Sequence, residues 1–82
     1  MKGETAAPES LGALLAELAA GLDSAGVPLA HDEARDIVAA VLDVPRFWPV
    51  TNRQALIDST AVDEARNAAA ARARGAPFAY AV

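Results

Sequence analysis

Between Leu11 and Leu22 the large apolar side chains stand at Leu11, Leu14, Leu15, Leu18 and Leu22, with Ala25 beyond them. That is the i, i+3, i+4, i+7, i+11, i+14 spacing of one helix face. No other part of the chain concentrates so much apolar volume on one face. Of the 82 residues 54% are apolar, but 22 are Ala and only 22 are Leu, Val, Ile, Phe, Trp, Tyr or Met. Alanine favours helix and buries little area, so the core is expected to be small and the stability modest. Small side chains also let helices approach closely, which suits a compact bundle.

The rest of the chain follows this lead. Residues 1–8 are small, polar and Pro-terminated, and read as a flexible N-terminus. The first helix runs from Leu11 to a stop at Gly26, with Pro28 sealing the break. A second helix is predicted from Ala30–Asp32 to about Leu42, with Ala34, Ile37, Val38, Val41 and Leu42 facing inward. Asp32, Glu33 and Asp36 lie in its first turns, where carboxylates suit the positive end of the helix dipole. Pro45 and Pro49 bracket Arg46-Phe47-Trp48, leaving room for a short turn or a single helical turn. Thr51-Asn-Arg-Gln54 has capping-box spacing before Ala55, Leu56 and Ile57, which predicts a short third helix. Thr60 is then expected to cap a final helix from Ala61 to Arg74, with Asp63 and Glu64 at its start and Arg72 and Arg74 at its end. Its inner face, Val62, Ala65, Ala69 and Ala73, is thin, so it must pack very closely or lean on something else. No strand is expected before Phe78. The expected fold class is all-α: a small bundle of four or five short helices over residues 9–75, with residues 76–82 starting a linker toward a further domain.

Composition narrows the function classes. The net charge is −4, and Lys2, Arg35, Arg46, Arg53, Arg66, Arg72 and Arg74 are spread along an acidic chain, which disfavours nucleic-acid binding. The absence of Cys excludes disulfides and thiolate metal sites. No stretch approaches the roughly 18 apolar residues of a membrane span, so a soluble, cytoplasmic protein is the default. His31-Asp32-Glu33 is the one place where His meets carboxylates, but neighbours on a helix point different ways. An exposed or capping His fits better than a catalytic one. Ser10, Ser24 and Ser59 have no paired base, and the five Gly are isolated, so neither a nucleophile nor a phosphate loop is indicated. No catalytic, metal or cofactor residue is predicted in this chain.

What remains are contact candidates. Phe47 and Trp48, half of the four aromatics, fall together in a Pro-bracketed turn. They read either as a plug for a bundle short of large side chains or as an interface anchor. Arg72 and Arg74 could grip an acidic partner, but capping the C-terminal end of a helix is the better reading of them. The segment Gly75-Ala-Pro77-Phe78-Ala79-Tyr80-Ala-Val82 combines a helix stop with alternating apolar residues. Phe78 and Tyr80 are therefore candidates for an inter-domain or inter-subunit contact.

Two stretches carry a resemblance. Glu33-Ala34-Arg35-Asp36-Ile37-Val38-Ala39-Ala40-Val41-Leu42-Asp43 with Arg46, and Arg72-Ala-Arg74-Gly75-Ala-Pro77-Phe78-Ala79-Tyr80, look like the N-terminal domain of the HemK/PrmC family. The similarity spans roughly residues 11–82. Members are S-adenosylmethionine-dependent methyltransferases that modify the GGQ glutamine of class-I peptide chain release factors. The resemblance implies a helical domain that helps engage the release factor and is joined to a Rossmann-like catalytic domain. Arg46 is among the matching positions. Arg35 stands where the family often has Glu, and Asp43 stands at its usual Gly. The Asn-Pro-Pro-Tyr motif and the Gly-rich cofactor loop are not in this sequence, so no catalytic or cofactor-binding residue carries over. S-adenosylmethionine is expected to belong to the parent protein, whose partners would be the release factor and its own catalytic domain. The alternative is a stand-alone helical interaction or dimerisation module.

Overall fold

The computed structural model describes residues 9–75. Six elements follow one another: β1 (Glu9–Ser10), α1 (Leu11–Ser24), α2 (Ala30–Leu42), α3 (Trp48–Thr51), β2 (Leu56–Ile57) and α4 (Ser59–Ala73). The all-α expectation holds, with four helices among the described residues and one two-residue ladder.

Three helices stop by the same device. After α1, the Gly26 amide donates to Asp23 O and the Val27 amide to Leu22 O, each at 3.0 Å, with Gly26 at φ +83°. After α2, the amides of Asp43 and Val44 donate to Ala40 O and Ala39 O, with Asp43 at φ +57°. After α4, Gly75 takes φ +103° and its amide donates to Arg72 O. In each case a left-handed residue turns the chain back over carbonyls that the helix leaves open. Glycine does this without a Cβ penalty; Asp43 does it with one.

The start of α1 explains where the sequence expectation failed. Ser10 Oγ accepts from the Ala13 amide at 3.2 Å. The amides of Leu11 and Gly12 donate to the carbonyls of Ala55 and Arg53, both at 2.8 Å. These are first-turn donors that a helix cannot satisfy internally. Residues 53–57 therefore stay out of helix: their carbonyls terminate α1, and Leu56–Ile57 pair antiparallel with Glu9–Ser10. The third helix predicted after Thr51 does not form, and a strand does occur before Phe78. Thr51 ends α3 instead of capping a helix, its hydroxyl donating to the carbonyls of Phe47 and Trp48. Gly12 fits this approach, since a Cβ there would lie 3.3 Å from Arg53 O.

The cap of α4 also shifts. Asp58 Oδ1 accepts from the Ala61 amide at 2.9 Å, so the helix begins at Ser59 and Thr60 lies inside it. A carboxylate is favoured over a hydroxyl at the positive end of the dipole.

Leu11, Leu14, Leu15, Leu18 and Leu22 of α1 are all buried. Around them close Ala34, Ile37 and Val38 of α2 and Val62, Ala65, Ala68 and Ala69 of α4, with Ile57 and Val27 filling the ends. Ala34 has no exposed surface, which shows how close α2 comes. Ala25, expected on the inner face, caps α1 and is exposed, while Ala19 is buried among the leucines. Val41, Leu42 and Ala73 sit at the core's edge. Leu29, ahead of α2, is exposed and left-handed at φ +56°, which nothing in its sequence context signals.

The left-handed site at Asp43 yields a stability prediction. Asp43→Gly removes both the Cβ penalty and a negative charge from a helix C-terminus. It should stabilise the fold by about 0.5–1 kcal/mol, raising the melting midpoint by roughly 2–8 °C. Asp43→Ala removes the charge but keeps the penalty, so it should melt below Asp43→Gly. Calorimetric melts of the three proteins decide it, and a glycine variant that melts no higher contradicts the account.

Candidate functional site

The corner between α2 and α3 separates the two aromatics that stand side by side in sequence. Pro45 and Pro49 fix it: the Trp48 amide donates to Pro45 O, and Pro49 occupies the second position of α3, where a missing N–H costs nothing. Pro49 is buried and Trp48 packs partly buried against the core. Phe47, one residue earlier, is 66% exposed, and Val50 beside it is 52% exposed. Asn52 Nδ2 donates to Trp48 O at 2.9 Å, tying down the far end of the turn. The corner therefore presents Phe47 and Val50 from a braced segment.

Arginines surround this apolar pair. Arg46 Nε and Nη2 donate to Asp36 Oδ1 and Oδ2 at 3.0 and 3.5 Å. Arg35 Nε shares Oδ1 of Asp36 at 3.1 Å, while its Nη1 reaches Asp32 at 3.4 Å. A shallow depression lined by Arg35, Arg46, Phe47, Val50 and Thr51 runs into a second one holding His31 and Arg53, with Arg35 and Val50 common to both. His31 is exposed.

Arg72 is engaged within the bundle. Its Nε and Nη2 donate to Oε1 and Oε2 of Glu33 at 2.8 and 3.0 Å, a bidentate pair joining the last turn of α4 to the first turn of α2. The Glu33 hydrogen bonds outweigh the burial penalty and raise the Arg72 guanidinium above its ordinary value. Arg74 is exposed. Phe78 and Tyr80 lie outside the described residues, as do the expected flexible segment 1–8 and linker 76–82.

Sequence reading did not single out the cluster on the opposite side. Arg66 of α4 donates to Glu17 of α1 at 2.6 and 2.8 Å and to Glu9 of β1 at 2.8 Å. One guanidinium thus fastens three elements. The hydrogen bonds from Arg66 pull Glu17 below its ordinary 4.5, against the burial penalty. Glu9 moves the other way, because burial and the neighbouring Glu17 outweigh the pull of Arg66. Arg66 is raised in turn, chiefly by hydrogen bonding to Glu17. The partners stand 49 and 57 residues apart in sequence, so no local spacing signals the cluster.

Among the described residues no charged or polar side chain is buried, and no group of three His, Cys, Asp or Glu could hold a metal ion. No helix among them is long and apolar enough to cross a membrane. What these residues offer are surfaces: a braced apolar corner ringed by arginine, and a shallow groove between α1 and α4 lined by Leu18, Gly21, Ala69 and Ala73.

A family model described as the PrmC N-terminal domain matches residues 13–82. No curated protein and no solved structure matches the chain. Glu33 and Arg72, two of the positions that carry the resemblance read from the sequence, are the two ends of one ion pair.

The opposite shifts of Glu17 and Glu9 predict opposite responses to neutralisation. Glu17 contributes stability above its ordinary value of 4.5, and that contribution is lost as pH falls through its lower folded value. For Glu9 the ionised form is disfavoured by folding, so stability is lost as pH rises through its raised folded value. At neutral pH, Glu17→Gln should cost about 0.5 kcal/mol, the scale of a solvent-screened pair, and Glu9→Gln should cost nothing or stabilise slightly. Urea unfolding at pH 7 and below pH 4 measures both, and the Glu17→Gln deficit should shrink in acid.

Proposed function

The chain belongs to the PrmC N-terminal domain family, and on that footing we propose that it is the substrate-docking domain of a protein-glutamine methyltransferase. The substrate is a class-I peptide chain release factor, methylated on its GGQ glutamine, and the methyl donor is S-adenosylmethionine. The donor is bound, and the release factor's glutamine amide received, by a separate catalytic domain of the parent protein, the second partner of this chain. The setting is the cytoplasm, where translation terminates.

Family membership is the observation that carries this role, and the bundle's surfaces are suited to it. Binding energy gained away from the reacting atom orients a substrate and lowers the entropic part of the barrier. Such a contact is useful only if it is held rigidly. Here the Arg72–Glu33 and Arg66–Glu17 pairs tie α4 to α2 and α1, and the corner at Phe47 is braced by Asn52 and Thr51.

Calorimetric titration with S-adenosylmethionine should give no heat, whereas a purified class-I release factor should bind saturably. Stoichiometric cofactor binding would be incompatible with a docking-only domain. In a full-length parent, deleting residues 1–74 should lower kcat/KM for release-factor methylation by roughly tenfold or more, mainly through KM. An unchanged rate would rule docking out.

A further inference from the structure

We propose that the α2–α3 corner, Phe47 and Val50 ringed by Arg35, Arg46 and Arg53, is the docking surface for an acidic segment of the release factor that carries an exposed apolar side chain. The assignment rests on the docking role proposed above and gives it a location.

Three observations point to this occupant. Phe47 and Val50 are among the four exposed large hydrophobic residues described, and they line one depression. The other two, Leu29 and Leu56, line none of the depressions described above. A ring held out on a braced turn loses little conformational entropy when covered, which suits a binding anchor.

The charge at the corner is opposite in sign to that of the whole chain. Three arginines, Arg35, Arg46 and Arg53, line the two depressions with Asp32, and Asp36 pairs with Arg35 and Arg46, so these five groups sum to +1 on a chain whose net charge is −4. Arg53 has no ion-pair partner among the described residues. The Arg46 side chain is 72% exposed and gives Nε and Nη2 to Asp36, leaving its Nη1 donors for a second carboxylate. An acidic segment gains from these donors, and its apolar side chain covers Phe47.

The same charge argues against a second copy of this chain as the occupant. A two-fold contact through the corner would set the arginine ring against itself. Nucleic acid would meet the corner's cations on a chain whose net charge is −4.

The test compares binding of a purified class-I release factor to the wild-type chain and to Phe47→Ser, Arg53→Glu and Ala70→Glu. Ala70 is exposed beside the α1–α4 groove and serves as the control. Phe47→Ser and Arg53→Glu should each weaken affinity roughly tenfold, with melting midpoints unchanged because both side chains are exposed. The Arg53→Glu effect should shrink as ionic strength rises. Ala70→Glu should bind as wild type. Wild-type binding that survives both corner variants overturns this surface and leaves the docking role standing. Absence of any wild-type binding overturns both. Sedimentation of the chain alone should show a monomer; a dimer dissociated by Phe47→Ser would assign the corner to self-association and overturn the proposal.

Discussion

The leucine face of α1 is the constraint on which the rest of the bundle depends. Five leucines on one helix supply half of the ten large aliphatic side chains in the core, and α2 and α4 meet them with Ala34, Ala65, Ala68 and Ala69. Alanine cannot fill space, so those helices must come close, and close approach leaves no room for a loose fit. Truncating a fully buried leucine such as Leu14 to Ala would cost about 2–5 kcal/mol, a large part of what a domain this small can spare. Polar fastenings at the periphery supplement this thin core. Arg66 and Arg72 each join α4 to other elements.

How much of this was legible depended on the range of the interaction. Helical periods and stop residues are local, and α1 and α2 lie where Leu11–Leu22 and Ala34–Leu42 place them. The segment from Asn52 to Ile57 was misread because its conformation is set elsewhere. Capping-box spacing at Thr51 favours a helix, but the amides of Leu11 and Gly12 need the carbonyls of Ala55 and Arg53. An N-terminus over 40 residues away won that competition. Thr60 and Asp58 both offer a cap two residues apart, and the structure uses Asp58, whose carboxylate is at least as good a cap. For the candidate site, sequence marked Phe47 and Trp48 together and left open whether they were plug or anchor. Their separation is made in the Pro-bracketed turn, where Trp48 packs against the core and Phe47 stays exposed.

The residues that resemble the family pattern turn out to do structural work. Ala34 is fully buried, Glu33 and Arg72 hold each other, and Arg46 pairs with Asp36. Even the departure at Asp43 is intelligible, since that position is left-handed and glycine fits it best. A pattern that identifies a domain by sequence can therefore record how it is built. The exposed corner at Phe47 and Val50 is a separate matter: nothing in the packing of the core requires a phenylalanine in solvent.

The Arg72–Glu33 pair has a mechanical consequence. Helix ends ordinarily fray, so a tug on the chain beyond them is absorbed by the last turn unwinding. Here the last turn of α4 is stapled by two hydrogen bonds to the first turn of α2. The last turn of α4 and the exposed Phe47 are thereby tied to the two ends of one helix, α2, so the register of α4 against α2 also sets where that ring stands relative to Gly75.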